Sequence, residues 1–230
     1  MRRGPLAALT ALSSLALALA GGPASAASPP AAEPSNPVVF VHGRNAGPGV
    51  WGAMTDYFAG HGYARDRLFA WEYDSSQSTN EVLHGQLAAY VDEVLRSTGA
   101  QQVDLVAHSL GSLPTRWYAK FGEGRQKVGN WVSLAGPNHG TSLGWFCAAW
   151  DQGCKDMTPG SYVVSHLNDG SEAPGPVRYT TFWSACDEQI LPAKSTPLSG
   201  ATNNQTSCLR HNDLLTDPTV AAGVHAALAG

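Results

Sequence analysis

The chain has 230 residues, 43% hydrophobic and 14% charged, with a formal net charge of −4. That length suits one α/β domain with a sizeable core. The acidic balance argues against nucleic acid or an anionic membrane surface as a partner.

The first 26 residues read as a signal peptide rather than as part of the domain. Arg2 and Arg3 make a basic start, Leu6 to Ala20 is apolar, and Ala24-Ser25-Ala26 is a small-residue cleavage motif. The apolar run is too short for a membrane span, and no other stretch is long enough, so no integral membrane association is expected. Cleavage after Ala26 leaves a Pro/Ala-rich leader, residues 27–36, expected to be disordered, ahead of a domain over 37–230. Without Arg2 and Arg3 there are 12 basic against 18 acidic residues, a net charge near −6.

Pro37 to Val41 is a continuous apolar run, as in a strand buried on both faces of a parallel sheet. A glycine-rich loop, His42 to Gly47, follows it, and Trp51 to Ala59 has helical apolar spacing. Leu68 to Tyr73 reads as a second strand. Asn80 is placed to cap a helix reaching Thr98, with Leu83, Leu87, Val91 and Val94 on its apolar stripe and Gly99 to stop it. Val103 to His108 is a third strand, and a helix over Leu110 to Phe121 tolerates Pro114 in its first turn. Val128 to Ala135 and Arg178 to Trp183 complete five strand segments, and an alanine-rich helix runs from Pro218 to Leu228. Alternating strands and helices imply a mostly parallel, doubly wound sheet of about six strands with helices on both faces.

The chemistry centres on Ala107-His108-Ser109-Leu110-Gly111. A strand, a sharp turn carrying a serine, and then a helix form the pattern of a nucleophile elbow. Ala107 stands where that pattern usually has glycine. A serine at a strand-to-helix turn can also be a plain N-cap, so the rest of the chain has to supply a base, an acid and an oxyanion hole. In an α/β-hydrolase order the acid follows a late strand and the histidine precedes the last helix. Asp187 and His211 stand at those places, which assigns Ser109, Asp187 and His211 as the catalytic residues. Glu188 and Asp151 are reserve acids. His139 is the rival base, but no suitable acid lies between Ser109 and His139. His42 and His108 fall out of chain order, and His225 lies within the last helix. The backbone N–H groups of Leu110 and Arg44 are the expected oxyanion donors.

Between Asn138 and Pro176 the strand–helix alternation lapses. The aromatics Trp145, Phe146 and Trp150 there suit a substrate platform, or simply pack the segment down. Cys147, Cys154, Cys186 and Cys208 allow three disulfide pairings. Pairing neighbours, Cys147 with Cys154 and Cys186 with Cys208, closes two compact loops. No Cys-x-x-Cys or close Cys/His cluster suggests a metal, and no cofactor is expected.

Val39-Phe40-Val41-His42-Gly43, the Val103–Gly111 elbow with its Ala-x-Ser-x-Gly variant, Ser184-Ala185-Cys186-Asp187 and Arg210 to Leu215 together resemble the small secreted bacterial lipases of the class 2 type. Ala107 is itself typical of that group. The resemblance covers most of the chain from Pro37 and is weakest over Asn138 to Pro176. It implies a minimal α/β-hydrolase fold, no metal, a nearly lidless site and an extracellular enzyme, expected here as a monomer. The implied reaction is hydrolysis of triacylglycerol or simple esters through an acyl-enzyme on Ser109. A carboxylesterase, phospholipase or polyester hydrolase would use the same residues. A binding protein of this fold would use the pocket without turnover.

Overall fold

The strand Val38–Val41 (β1) is wholly buried, and its side chains divide between two cores. Val39 and Val41 point to one face of a sheet, Val38 and Phe40 to the other, as the two-residue period of a strand requires. The structure, a computed structural model, describes residues 36–229 together with Met1 and Gly4. Apart from Met1, Gly4 and Asn36, the expected signal peptide (1–26) and leader (27–36) therefore lie outside the described residues.

After β1 come helix α1 (Gly52–Gly60), strand β2 (Leu68–Trp71), helix α2 (His84–Thr98), strand β3 (Val103–His108), helices α3 (Ser112–Phe121) and α4 (Gly124–Lys127), and strand β4 (Val128–Leu134). Short helices α5 (Gln152–Asp156) and α6 (Tyr162–Asn168) occupy the irregular segment. Strands β5 (Arg178–Trp183) and β6 (Thr202–Gln205) and helix α7 (Pro218–Ala229) complete the fold. Among the described residues these six strands form one parallel sheet in the order β2-β1-β3-β4-β5-β6. Met54 and Phe58 of α1 and Val220, Val224 and Leu228 of α7 cover one face. Leu87, Val91 and Val94 of α2, Leu113 and Tyr118 of α3 and Leu167 of α6 cover the other.

The chain leaves β1 toward β2 and returns to place β3 on β1's far side. The carboxyl ends of β1 and β3 are therefore neighbours at a topological switch point, where open α/β sheets hold their ligands. Val41 is in register with Ala107, so the loops beginning at His42 and Ser109 start side by side.

Three local features differ from the sequence expectations. The cap of the second helix is Ser78, not Asn80: Ser78 Oγ accepts the Glu81 N–H at 3.3 Å. The chain there opens with a wide turn, Thr79–Leu83, before α2 proper, so Asn80 already lies inside it. The sixth strand is Thr-Asn-Asn-Gln, an edge strand with no apolar residue to mark it. The segment 138–176 is partly helical, with Asp151 capping α5 and Ser161 capping α6.

Candidate active site

Ser109 follows β3 directly at φ 53. A non-glycine residue in that region carries roughly 1–3 kcal/mol of strain, which the packing on either side must hold. A Cβ on Gly111 would stand 2.5 Å from the His42 carbonyl oxygen and 2.7 Å from that of Val41, so a side chain has no room there. A Cβ on Gly43 would lie 2.9 Å from the Ser109 Cβ. The β1 loop thus passes against the serine with no space to spare, and Ala107, two residues before Ser109, is fully buried.

His211 begins a 3-10 turn between β6 and α7 and is 1% exposed. Its Nδ1 lies 2.9 Å from Asp187 Oδ2 and 3.1 Å from Oδ1. A carboxylate can only accept, so Nδ1 carries a proton, and in the neutral ring Nε2 keeps the lone pair. Asp187 Oδ1 also accepts the N–H groups of Gln189, at 2.8 Å, and Ile190, at 2.9 Å. Burial works to raise the Asp187 pKa. The hydrogen bond and charge of His211, with the Ile190 and Gln189 N–H groups, outweigh it and hold the carboxyl below its ordinary range.

Ser109 and His211 line one cavity of about 620 Å³, within the size range of small-ligand sites. Its apolar walls include Val50, Leu143, Met157, Ile190 and Leu215, and Gly43 and Arg44 form part of its rim. The 18 lining residues come from five separate loops, which is why no single motif marks the wall.

A family model described as Lipase (class 2) matches residues 35–220. The chain belongs to the class 2 lipase family.

Relatives of this class 2 member include a triacylglycerol lipase of Burkholderia plantarii, 30% identical over 151 residues, which are 61% of this chain and 40% of that protein. Another, a triacylglycerol lipase of Pseudarthrobacter phenanthrenivorans, is 32% identical over 120 residues, 48% of this chain and 35% of that one. The chain spans less than half the length of these relatives. Among solved structures, the mature form of a Bacillus licheniformis lipase superposes with a TM-score of 0.70 at 18% identity, covering 89% of this chain and 94% of that one. Aspergillus fumigatus lipase B gives 0.71 at 21% identity, covering 85% and 53%. At these identities the likeness is one of fold, the α/β-hydrolase fold.

Four other histidines of this class 2 member are engaged differently. His108 donates Nε2–H to the His211 carbonyl at 3.2 Å, and burial, then the charge of His211, pull its pKa down to about 3, which keeps it neutral. His42 lies stacked on Tyr73 and gives Nδ1–H to the Gly43 carbonyl at 2.8 Å. His139 Nδ1 bonds the Ser195 carbonyl at 3.0 Å and Nε2 bonds Glu172 at 2.9 Å, so neither ring nitrogen is left to take a proton from a serine. His225 Nε2 bonds the His61 carbonyl at 3.1 Å. Of the reserve acids, Glu188 accepts the His211 backbone N–H at 3.1 Å. Asp151 pairs with the Arg44 side chain at 2.7 Å.

Both disulfides join neighbours, Cys147 to Cys154 and Cys186 to Cys208. The second ties the residue beside Asp187 to one three places before His211. Closing a loop of this length is worth roughly 3 kcal/mol in the chain-entropy model. Reducing it should therefore loosen the Asp187–His211 pair before the sheet melts. Ester turnover is expected to fall at a dithiothreitol concentration that leaves far-UV circular dichroism intact. A turnover loss that merely follows the circular dichroism signal would count against this.

Trp145, Phe146 and Trp150 are 61%, 77% and 76% exposed, so they do not pack their segment down. None of the three lines the cavity; their neighbours Leu143, Gly144 and Cys147 do. Two buried cations carry no sequence signal of their own. Arg116 of α3 is wholly buried, with Nη2 on the Leu167 and Glu172 carbonyls, both at 2.9 Å. Lys120 bonds the carbonyls of Leu167 at 2.9 Å and Asp169 at 2.7 Å. Both favour the negative end of α6.

Proposed function

We propose that this chain is a secreted serine ester hydrolase acting on lipid esters, triacylglycerols foremost. The observation that carries this is His211: its Nδ1–H is committed to Asp187, which frees Nε2 to act as base, in the same cavity as Ser109 at its left-handed turn. The naming of the Burkholderia plantarii and Pseudarthrobacter phenanthrenivorans relatives as triacylglycerol lipases supports the substrate class.

In the first half-reaction Ser109 Oγ attacks the ester carbonyl carbon while His211 Nε2 takes its proton. The tetrahedral oxyanion is received by the N–H groups of Leu110 and Arg44. His211 then returns the proton to the leaving alcohol, and the C–O bond breaks to leave an acyl-enzyme. Water repeats the sequence and releases the acid. The apolar wall of Val50, Leu143, Met157, Ile190 and Leu215 suits an acyl chain. Trp145, Phe146 and Trp150, exposed on the segment that supplies Leu143, Gly144 and Cys147 to the wall, offer aromatic surface to bulky substrate.

The test is a panel of p-nitrophenyl esters, emulsified triglycerides, phospholipid vesicles and a soluble polyester. Turnover of triglyceride is the expected result. Activity confined to soluble esters, phospholipid or polyester would reassign the substrate. A wild type inert on all of them would leave a binding protein.

A further inference from the structure

We propose that the Arg44 side chain is a positioning residue for the oxyanion-binding N–H of its own backbone, and that Asp151 is its anchor. This rests on the ester-hydrolase reading above.

A donor stabilises a developing oxyanion only if it is held in place before the charge forms. Arg44 sits in a glycine-rich loop that has little regular structure to hold it. Gly43 before it is wedged against Ser109. Asn45 after it takes a left-handed conformation, φ 53, and gives its N–H to Ser75 Oγ at 2.9 Å. Between these two, the Arg44 guanidinium places Nε at 2.9 Å and Nη2 at 2.7 Å from Asp151 Oδ2.

The anchor itself cannot drift. Asp151 is 7% exposed, and its second oxygen, Oδ1, accepts the Cys154 N–H at 2.9 Å. It lies inside the ring closed by the Cys147–Cys154 disulfide. Gly153, in the same ring, bonds the Ser76 carbonyl at 3.3 Å, and a Cβ on it would stand 2.1 Å from the Ser75 carbonyl oxygen. Three loops, after β1, after β2 and from the irregular segment, therefore meet around Arg44: the first two through Asn45 and Ser75, the last two through Gly153 and Ser76. Two N–H groups from one planar fork fix the orientation of the side chain as well as its distance, which a lysine ammonium cannot do.

The experiment measures kcat and KM on a soluble short-chain p-nitrophenyl ester, together with inhibition by an aryl boronic acid, whose serine adduct is a tetrahedral anion. The variants are Arg44→Ala, Arg44→Lys, Asp151→Asn, and the double variant Arg44→Ala with Asp151→Asn. A displaced donor acts on the transition state alone. The expected result is a kcat lower by about 10- to 100-fold with KM within about twofold, and boronate affinity lost by the same factor. Lysine should recover only part of the activity, and the double variant should be no worse than the more damaged single one. Should Arg44→Ala fail to fold, the near-isosteric Asp151→Asn carries the test. Variants that lose thermal stability but keep kcat and boronate affinity would overturn the proposal, as would an effect on KM alone or losses that multiply in the double variant. A wild type without turnover would sink the parent reading and this one together, whereas an active wild type with unaffected variants would sink this one alone.

Discussion

Replacing Ser109 with alanine should lower kcat on any ester substrate by roughly four to six orders of magnitude, with little change in the fold. The serine is 8% exposed and sits at the mouth of a rigid turn, so removing its oxygen leaves only a small gap. The turn conformation itself is held by Gly111 pressed on the β1 carbonyls and Gly43 pressed on the Ser109 Cβ, neither of which needs the hydroxyl. Alanine is also no more strained than serine at φ 53. Thermal denaturation should therefore give nearly the wild-type midpoint while burst-phase acylation vanishes. An Ser109→Ala protein with substantial turnover would force a different nucleophile.

Asp187→Asn should cost about 10⁴ in kcat, for a reason legible in the hydrogen bonds. Oδ1 of Asp187 accepts two backbone N–H groups, so the asparagine oxygen must take that side. Its NH₂ then replaces Oδ2 and donates to His211 Nδ1. The imidazole is driven to the opposite tautomer, with its proton on Nε2, where it cannot accept one from Ser109. The same substitution should alter the acid side of the stability curve. The folded Asp187 pKa lies below the unfolded value near 3.9. The contribution of that depressed carboxyl is thus fully present above the unfolded value and lost as pH falls through the folded one. Urea midpoints of wild type and variant should converge as the pH is lowered into that window. Midpoints that stay apart throughout would contradict the assignment of the shift to this pair.

Much of the fold is readable from residue pattern because the central strands are simple. Val38 to Val41 and Val103 to His108 are buried on both faces, and that burial appears as an unbroken apolar run in the first and as one interrupted by Asp104 and closed by His108 in the second. The candidate residues Ser109, Asp187 and His211 are readable because they follow strand ends in a fixed order. The edge strand β6 is not, since four polar residues pair by backbone alone. Ser78 and Asn80 are chemically equivalent caps, and the choice between them depends on where the chain arrives from β2. The partner of Arg44 lies 107 residues away, and Arg116, a surface type of residue on a helix, is buried only because α6 comes to lie across it. Those are consequences of tertiary packing, and no local pattern records them.

The burial of Arg116 also ties the irregular segment to α3. Arg116 and Lys120 project from the helix that the Ser109 turn leads into, and together they grip the carbonyls at the end of α6. Releasing that grip would strip a guanidinium and an ammonium of their partners at once, so α6 and the elbow helix travel as one piece. At the other end the same segment is pinned by Arg44 and Asp151. The segment is thus fastened at two places, at Asp151 and at the end of α6. Trp145, Phe146 and Trp150 stand before the first of these fastenings, with most of their surface exposed.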